Sequence, residues 1–225
     1  FSEHLFDINT TFNNGLYIYS QLEYSDPPLF GKNLSGLNSI YFEYNLENFQ
    51  FIMGDISTLY GRGLSINTYQ DHNIDFDNRI TGLEVKYYFS DRITLFSLIG
   101  QSKYEYRKNP IFQVPDYWID YDYVIVNGLE YMTDKLGDFH LMSLLNRIST
   151  LGSEYPSDHH SDYSADNHEI NFSWNRYFDL FEVYTEYSWL DYVSNDVFNE
   201  DLNTKRNGSR LYSSINTDIF GMAIT

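Results

Sequence analysis

Gly82-Leu83-Glu84-Val85-Lys86-Tyr87-Tyr88-Phe89 changes character at every residue. In an extended chain Leu83, Val85, Tyr87 and Phe89 share one face, and Gly82, Glu84, Lys86 and Tyr88 the other, because successive side chains point to opposite sides of a strand. The pattern recurs in Ile40, Phe42 and Tyr44 against Tyr41, Glu43 and Asn45, and in Ile170, Phe172 and Trp174 against Glu169, Asn171, Ser173 and Asn175. It returns in Phe181, Val183, Tyr187 and Trp189 against Glu182, Tyr184, Glu186 and Ser188. Sustained helical spacing is almost absent, so the chain reads as all-β, with one face of each strand against something dry.

Alternation alone fits two folds: a soluble β-sandwich with the dry faces inward, or a transmembrane barrel with them outward against lipid. The connections favour the barrel. Short turns are expected at 45–48, 90–92 and 175–179 and a compact one at 133–138. Longer connections are expected at 26–37, 70–78, 107–120, 152–166 and 193–207. Short turns at one rim and long loops at the other characterise an outer-membrane barrel. This parity requires residues 48–69 to run as one strand, kinked or bulged at Gly61 and Gly63. The expected architecture is an antiparallel up-and-down transmembrane β-barrel, with about ten strands in this chain. Residues 1–225 read as a single domain. The abrupt opening at Phe1, and an ending at Thr225 inside a strand-like stretch where barrels usually close on an aromatic residue, suggest part of a longer chain and a larger barrel.

Composition points the same way. Aromatic residues make up 19% of the chain, with 22 Tyr and 17 Phe, yet mean hydropathy is −0.44. That is more ring than a soluble core uses, and Tyr, with an apolar body and a wet tip, suits the headgroup level of a bilayer. With 32 acidic against 14 basic residues and a net charge of −18, the chain offers no basic face for phosphates, so nucleic acid is not an expected partner. It has no Cys, hence no disulfide framework, thiolate zinc site or cysteine nucleophile. No apolar run is long enough for a transmembrane helix.

Gly54-Asp55-Ile56-Ser57-Thr58-Leu59-Tyr60-Gly61-Arg62-Gly63-Leu64 is the most distinctive string, followed by Asp75-Phe76-Asp77-Asn78-Arg79-Ile80-Thr81-Gly82. Together they resemble a family of uncharacterised outer-membrane barrel proteins of Bacteroidota and related bacteria, in which a G-D-x4-Y-G-(R/K)-G-L stretch precedes an acidic loop and an Arg-x-x-Gly strand opening. Glu182–Tyr187 and Gly208–Tyr212 resemble that family too. The resemblance implies a bacterial outer-membrane location and a barrel architecture, and it brings no catalytic residues.

Candidate lumen residues are Asp55, Tyr60, Arg62, Glu84, Glu182 and Glu186. A backbone flanked by Gly61 and Gly63 can fold inward and present Arg62 to a pore; the plainer alternative is that the glycines relieve a bend and Arg62 pairs with Asp55 or Glu84. Asp158, His159, His160, Asp162, Asp166 and His168 gather imidazoles and carboxylates suited to a divalent cation, although their spacing matches no established ligand pattern. No other cofactor is expected. Tyr117, Trp118 and Tyr121, interleaved with acids, have the composition of a glycan-contact surface, or of a loop that lays its rings on the membrane interface. Glu182 and Glu186 share a face but lie about 13 Å apart along a strand, beyond the reach of a glycosidase pair. No nucleophile elbow, zinc-protease, P-loop or dinucleotide motif occurs, so the chain reads as a non-enzyme. It is expected to be a porin-like channel or transporter, or a secretion or assembly accessory, in contact with outer-membrane lipid and with a small solute or other envelope proteins. The alternative is a secreted sandwich that binds glycans. A barrel requires Phe42, Leu83, Phe172 and Val183 to face lipid, and a sandwich requires them to face one another.

Overall fold

The computed structural model describes residues 2–26, 34–72, 76–106, 117–150, 163–196, 203–219 and 222–224. One antiparallel sheet runs through all of them. Its strands are β1 (Glu3–Thr11), β2 (Leu16–Ser25), β3 (Leu34–Asn45), β4 (Phe49–Ile56), β5 (Gln70–Asp71), β6 (Phe76–Asp77), β7 (Ile80–Ser90), β8 (Ile93–Tyr106), β9 (Tyr117–Thr133), β10 (Gly137–Thr150), β11 (Tyr163–Tyr177), β12 (Phe181–Asp196), β13 (Thr204–Ile219) and β14 (Met222–Ile224). Each long strand pairs with its neighbour in sequence, β4 passing directly to β7, while β5 and β6 form a small side hairpin whose second strand also pairs with β8. This is the up-and-down order of a barrel, with eleven long strands among the described residues where about ten were expected.

Strands are separated by short turns at 12–15, 46–48, 91–92, 134–136 and 178–180, alternating with longer intervals at 26–33, 57–79, 107–116, 151–162 and 197–203. The two-rim asymmetry read from the sequence therefore holds. One expectation does not: residues 48–69 are not a single strand. β4 ends at Ile56, and the chain then leaves the sheet for a compact excursion closed by a Leu59–Asn67 bridge and by Thr58–Thr68 hydrogen bonds.

The two faces of the sheet decide what surrounds it. Ile99 is 52% exposed, Leu141 50% and Leu211 69%, and Leu83 and Phe172 are exposed beside them; Phe42 and Val183 are half-buried among strand neighbours and lie outside the core. The opposite face buries Glu84, Glu169 and Glu186 together with Leu98, Val126 and Leu144. A water-soluble sheet would reverse this distribution. Apolar side chains left outward over consecutive strands, with carboxylates sequestered inward, are stable when the outer solvent is lipid. The sandwich expectation fails here, since the aliphatic faces do not meet.

Candidate functional site

Residues 57–69 lie on the inner face, where the ring of Phe96 seats them. Gly128 of β9 is directly opposite Phe96 of β8 in register. With no side chain of its own, Gly128 lets the Phe96 ring lie flat across it: a Cβ there would come within 2.1 Å of that ring. Tyr60 stacks on the other side of Phe96, with ring centroids 4.5 Å apart and planes 12° from parallel. Its hydroxyl donates to Glu84 Oε1 of β7 at 2.7 Å, and Lys86 Nζ stands 3.4 Å from the same oxygen. Burial and the adjacent Glu84 carboxylate hold the Tyr60 phenol far above its ordinary pKa, so it stays a donor. Ile56 and Ile66 complete the apolar part of the contact, packed with Ile52, Ile80, Leu98, Val124 and Val126.

The other side of the excursion reaches β11 and β12, whose carboxylates are held in turn from β13. Gly61 takes φ +62°, a left-handed conformation that turns the next peptide so that Arg62 N–H donates to Glu186 Oε2 at 2.9 Å. Glu186 is fully buried, and it also accepts from Tyr184 Oη at 2.7 Å and Asn171 Nδ2 at 2.8 Å. The Arg62 guanidinium sits 4.7 Å above the Tyr184 ring and donates to Glu182 Oε1 at 3.2 Å, while Asn216 Nδ2 holds the second Glu182 oxygen at 2.8 Å. Ser65 Oγ bridges Asn171 and Glu169, and Glu169 is further held by Ser188 and Arg210. A buried carboxylate is tolerable only with such a full set of partners. Residues 57–69 are therefore fastened to β7 on one side and to β11–β12 on the other, which requires the sheet to curl around them.

Five of the six lumen candidates, Tyr60, Arg62, Glu84, Glu182 and Glu186, are brought together on this face. Asp55 stands apart. Gly54, at φ +114°, distorts the end of β4, and Asp55 points to the side of the sheet that carries Met53; its carboxylate accepts the Ile40 N–H at 3.0 Å and the Thr81 hydroxyl at 2.7 Å. Arg62 pairs with Glu182 and not with Asp55 or Glu84, because the excursion carries it across the inner face. Sequence reasoning missed Phe96, Gly128, Ser65, Asn171, Glu169 and Arg210; only the alternation of Glu169, Asn171 and Ser173 marked any of them as inward.

Of the cation candidates, Asp158, His159, His160 and Asp162 lie outside the described residues. Asp166 accepts from Arg147 at 2.8 Å, and His168 is paired in register with Leu145 and Asp191. Tyr117, Trp118 and Tyr121 fall on β9, and their side chains lie outside those described.

Among solved structures, the chain is similar to an anion-selective porin from Comamonas acidovorans, with 12% identity and a TM-score of 0.50, over 94% of this chain and 57% of that one. It thus spans little more than half the porin's length. It is also similar to OmpT, an outer-membrane protein of Vibrio cholerae, with 13% identity and a TM-score of 0.45, over 96% of this chain and 75% of that one. No curated protein matches it. The fold shared with the porin is that of an outer-membrane β-barrel. Residues 6–225 match the model of a family of unknown function, DUF6029, and the chain belongs to that family.

Proposed function

We propose that the chain forms the wall of an outer-membrane channel for small solutes, narrowed by residues 57–69. The supporting observation is the double attachment of that segment across the inner face, by Tyr60 to Glu84 on one side and by Arg62 to Glu182 and Glu186 on the other. A segment held by buried carboxylates keeps a defined aperture where a loose one would plug the lumen or leave it. The outward apolar face supports residence in the bilayer, and the resemblance at Gly54–Leu64 supports a source among Bacteroidota and related bacteria. No reaction is assigned.

The sign of the inner face supports a selectivity. Among the described residues Asp7, Glu23, Glu43, Glu84, Glu130, Glu169, Glu182 and Glu186 project inward against Arg62, Arg79, Lys86, Arg206 and Arg210, so the lumen favours cations. Full-length protein in a planar bilayer with a tenfold KCl gradient is expected to conduct, with a reversal potential on the cation-selective side. An insulating protein that assembles as a heat-modifiable barrel would refute the channel and favour a secretion or assembly accessory.

A further inference from the structure

Beside its attachments, the excursion covers a cavity of different character. Ile66 from the segment and Ile80, Val124 and Leu144 from the sheet supply apolar surface, and Asn67, Ser102 and Asn146 supply amides and a hydroxyl. Its enclosed space is about 90 Å³ and grows to about 400 Å³ when the open mouth is counted, so a solute seated here projects partly into the mouth. No charged side chain lines it among the described residues, although charged groups crowd the rest of the inner face.

Most of its polar atoms are already engaged. Ser102 Oγ donates to the Asn78 carbonyl at 2.8 Å, Asn78 Oδ1 accepts the Tyr69 N–H at 2.7 Å, and the Thr68 hydroxyl accepts from Thr58 N at 2.9 Å. Asn146 differs. It is 8% exposed, on the inward side of β10, and its Oδ1 finds no hydrogen-bond donor among the described residues. An amide oxygen shut away from bulk water without a donor is unfavourable, and the group that relieves it must bring an N–H or O–H into the cavity.

We propose that this cavity is a binding site for an uncharged, hydroxyl-bearing solute the size of a hexose. A hydroxyl satisfies Asn146 Oδ1, and the C–H face of the ring rests on Ile66, Ile80 and Leu144. An ion is disfavoured, since it would be desolvated without a counter-charge. The cavity lies towards the rim with the longer inter-strand intervals, the external side of an outer-membrane barrel, where incoming solute arrives. The inference deepens the channel reading and depends on it for the route of the solute, not for binding.

Saturation-transfer NMR of the full-length protein in detergent, with D-glucose as probe and D-glucuronate as charged control, tests it. Glucose is expected to receive saturation and glucuronate far less. Replacing Asn146→Ala is expected to weaken glucose binding about three- to tenfold, the effect of one neutral hydrogen bond. Leu144→Trp, which fills the cavity and leaves Asn146 in place, is expected to abolish it; heat-modifiable migration confirms that each variant is assembled. No transfer to glucose, or equal transfer in wild type and both variants, overturns the proposal and leaves a cavity that holds only water. Liposome swelling with the same sugars reads the channel separately: binding without swelling sinks the channel and keeps the site, and swelling without binding does the reverse.

Discussion

Gly61→Ala should release the inserted segment without replacing any charged residue. An alanine at φ +62° carries about 1–2 kcal/mol of left-handed strain. Its Cβ would also stand 2.7 Å from Tyr184 Oη and 2.9 Å from both Glu186 oxygens. These are side-chain ends, but they have no room to retreat: Tyr184 lies under Arg62, and Glu186 is fully buried and held by Asn171. The segment must lift, losing the Arg62 N–H bond to Glu186, and a hydrogen bond to a charged group contributes about 1.5–3 kcal/mol. Because Glu186 is fully buried in the docked state, the two effects together weigh about 3 kcal/mol against that state, or roughly a hundredfold in the docked-to-released ratio. Trypsin reads that ratio. Cleavage after Arg62 should accelerate by about two orders of magnitude when opening is fast relative to cutting, while cleavage after Arg92, exposed in the turn between β7 and β8, serves as the internal standard. Single-channel conductance should rise in parallel. Unchanged cleavage at Arg62 relative to Arg92 would refute the claim that Gly61 and Glu186 hold the segment.

Tyr60→Phe retains the stack on Phe96 but removes the donor to Glu84; the temperature at which the folded gel band is lost should fall, with a cost of about 1.5–3 kcal/mol, and an unchanged transition would show that Lys86 suffices for Glu84. Gly128→Val drives a side chain into the Phe96 ring and should reproduce the Gly61→Ala cleavage pattern, whereas Gly208→Ala, with nothing within 4 Å of its new Cβ, should be silent; equal behaviour of the two would argue against the ring stack as the seat of the segment. Leu83→Arg places a charge on the lipid face and should cost about 2–4 kcal/mol if Leu83 lies near the bilayer midplane, read as loss of heat-modifiable protein from outer-membrane fractions; wild-type yield would contradict the orientation of the sheet.

What the sequence discloses here depends on how far apart the determining residues lie. The facing of Leu83, Phe172, Glu84 and Glu186 was legible because a strand converts parity into side, so ten residues carry their own orientation. Strand order was legible for a related reason, since short turns force neighbours in sequence to pair. Asp55 belonged to the same alternation as Met53, and the glycine beside it obscured that. Residues 57–69 escaped the rule because their partners are remote: Tyr60 is placed by Phe96 and Gly128, and Arg62 by Glu182 and Glu186, more than a hundred residues away. Local pattern could recognise a backbone released at Gly61 and Gly63 to turn inward, but not the surface that would receive it. That surface forms only when β7 through β12 have curled into position, so the docking of the segment reports the curvature of the whole sheet. This is also why weakening it at Gly61 should alter the lumen while leaving the strand pairing intact.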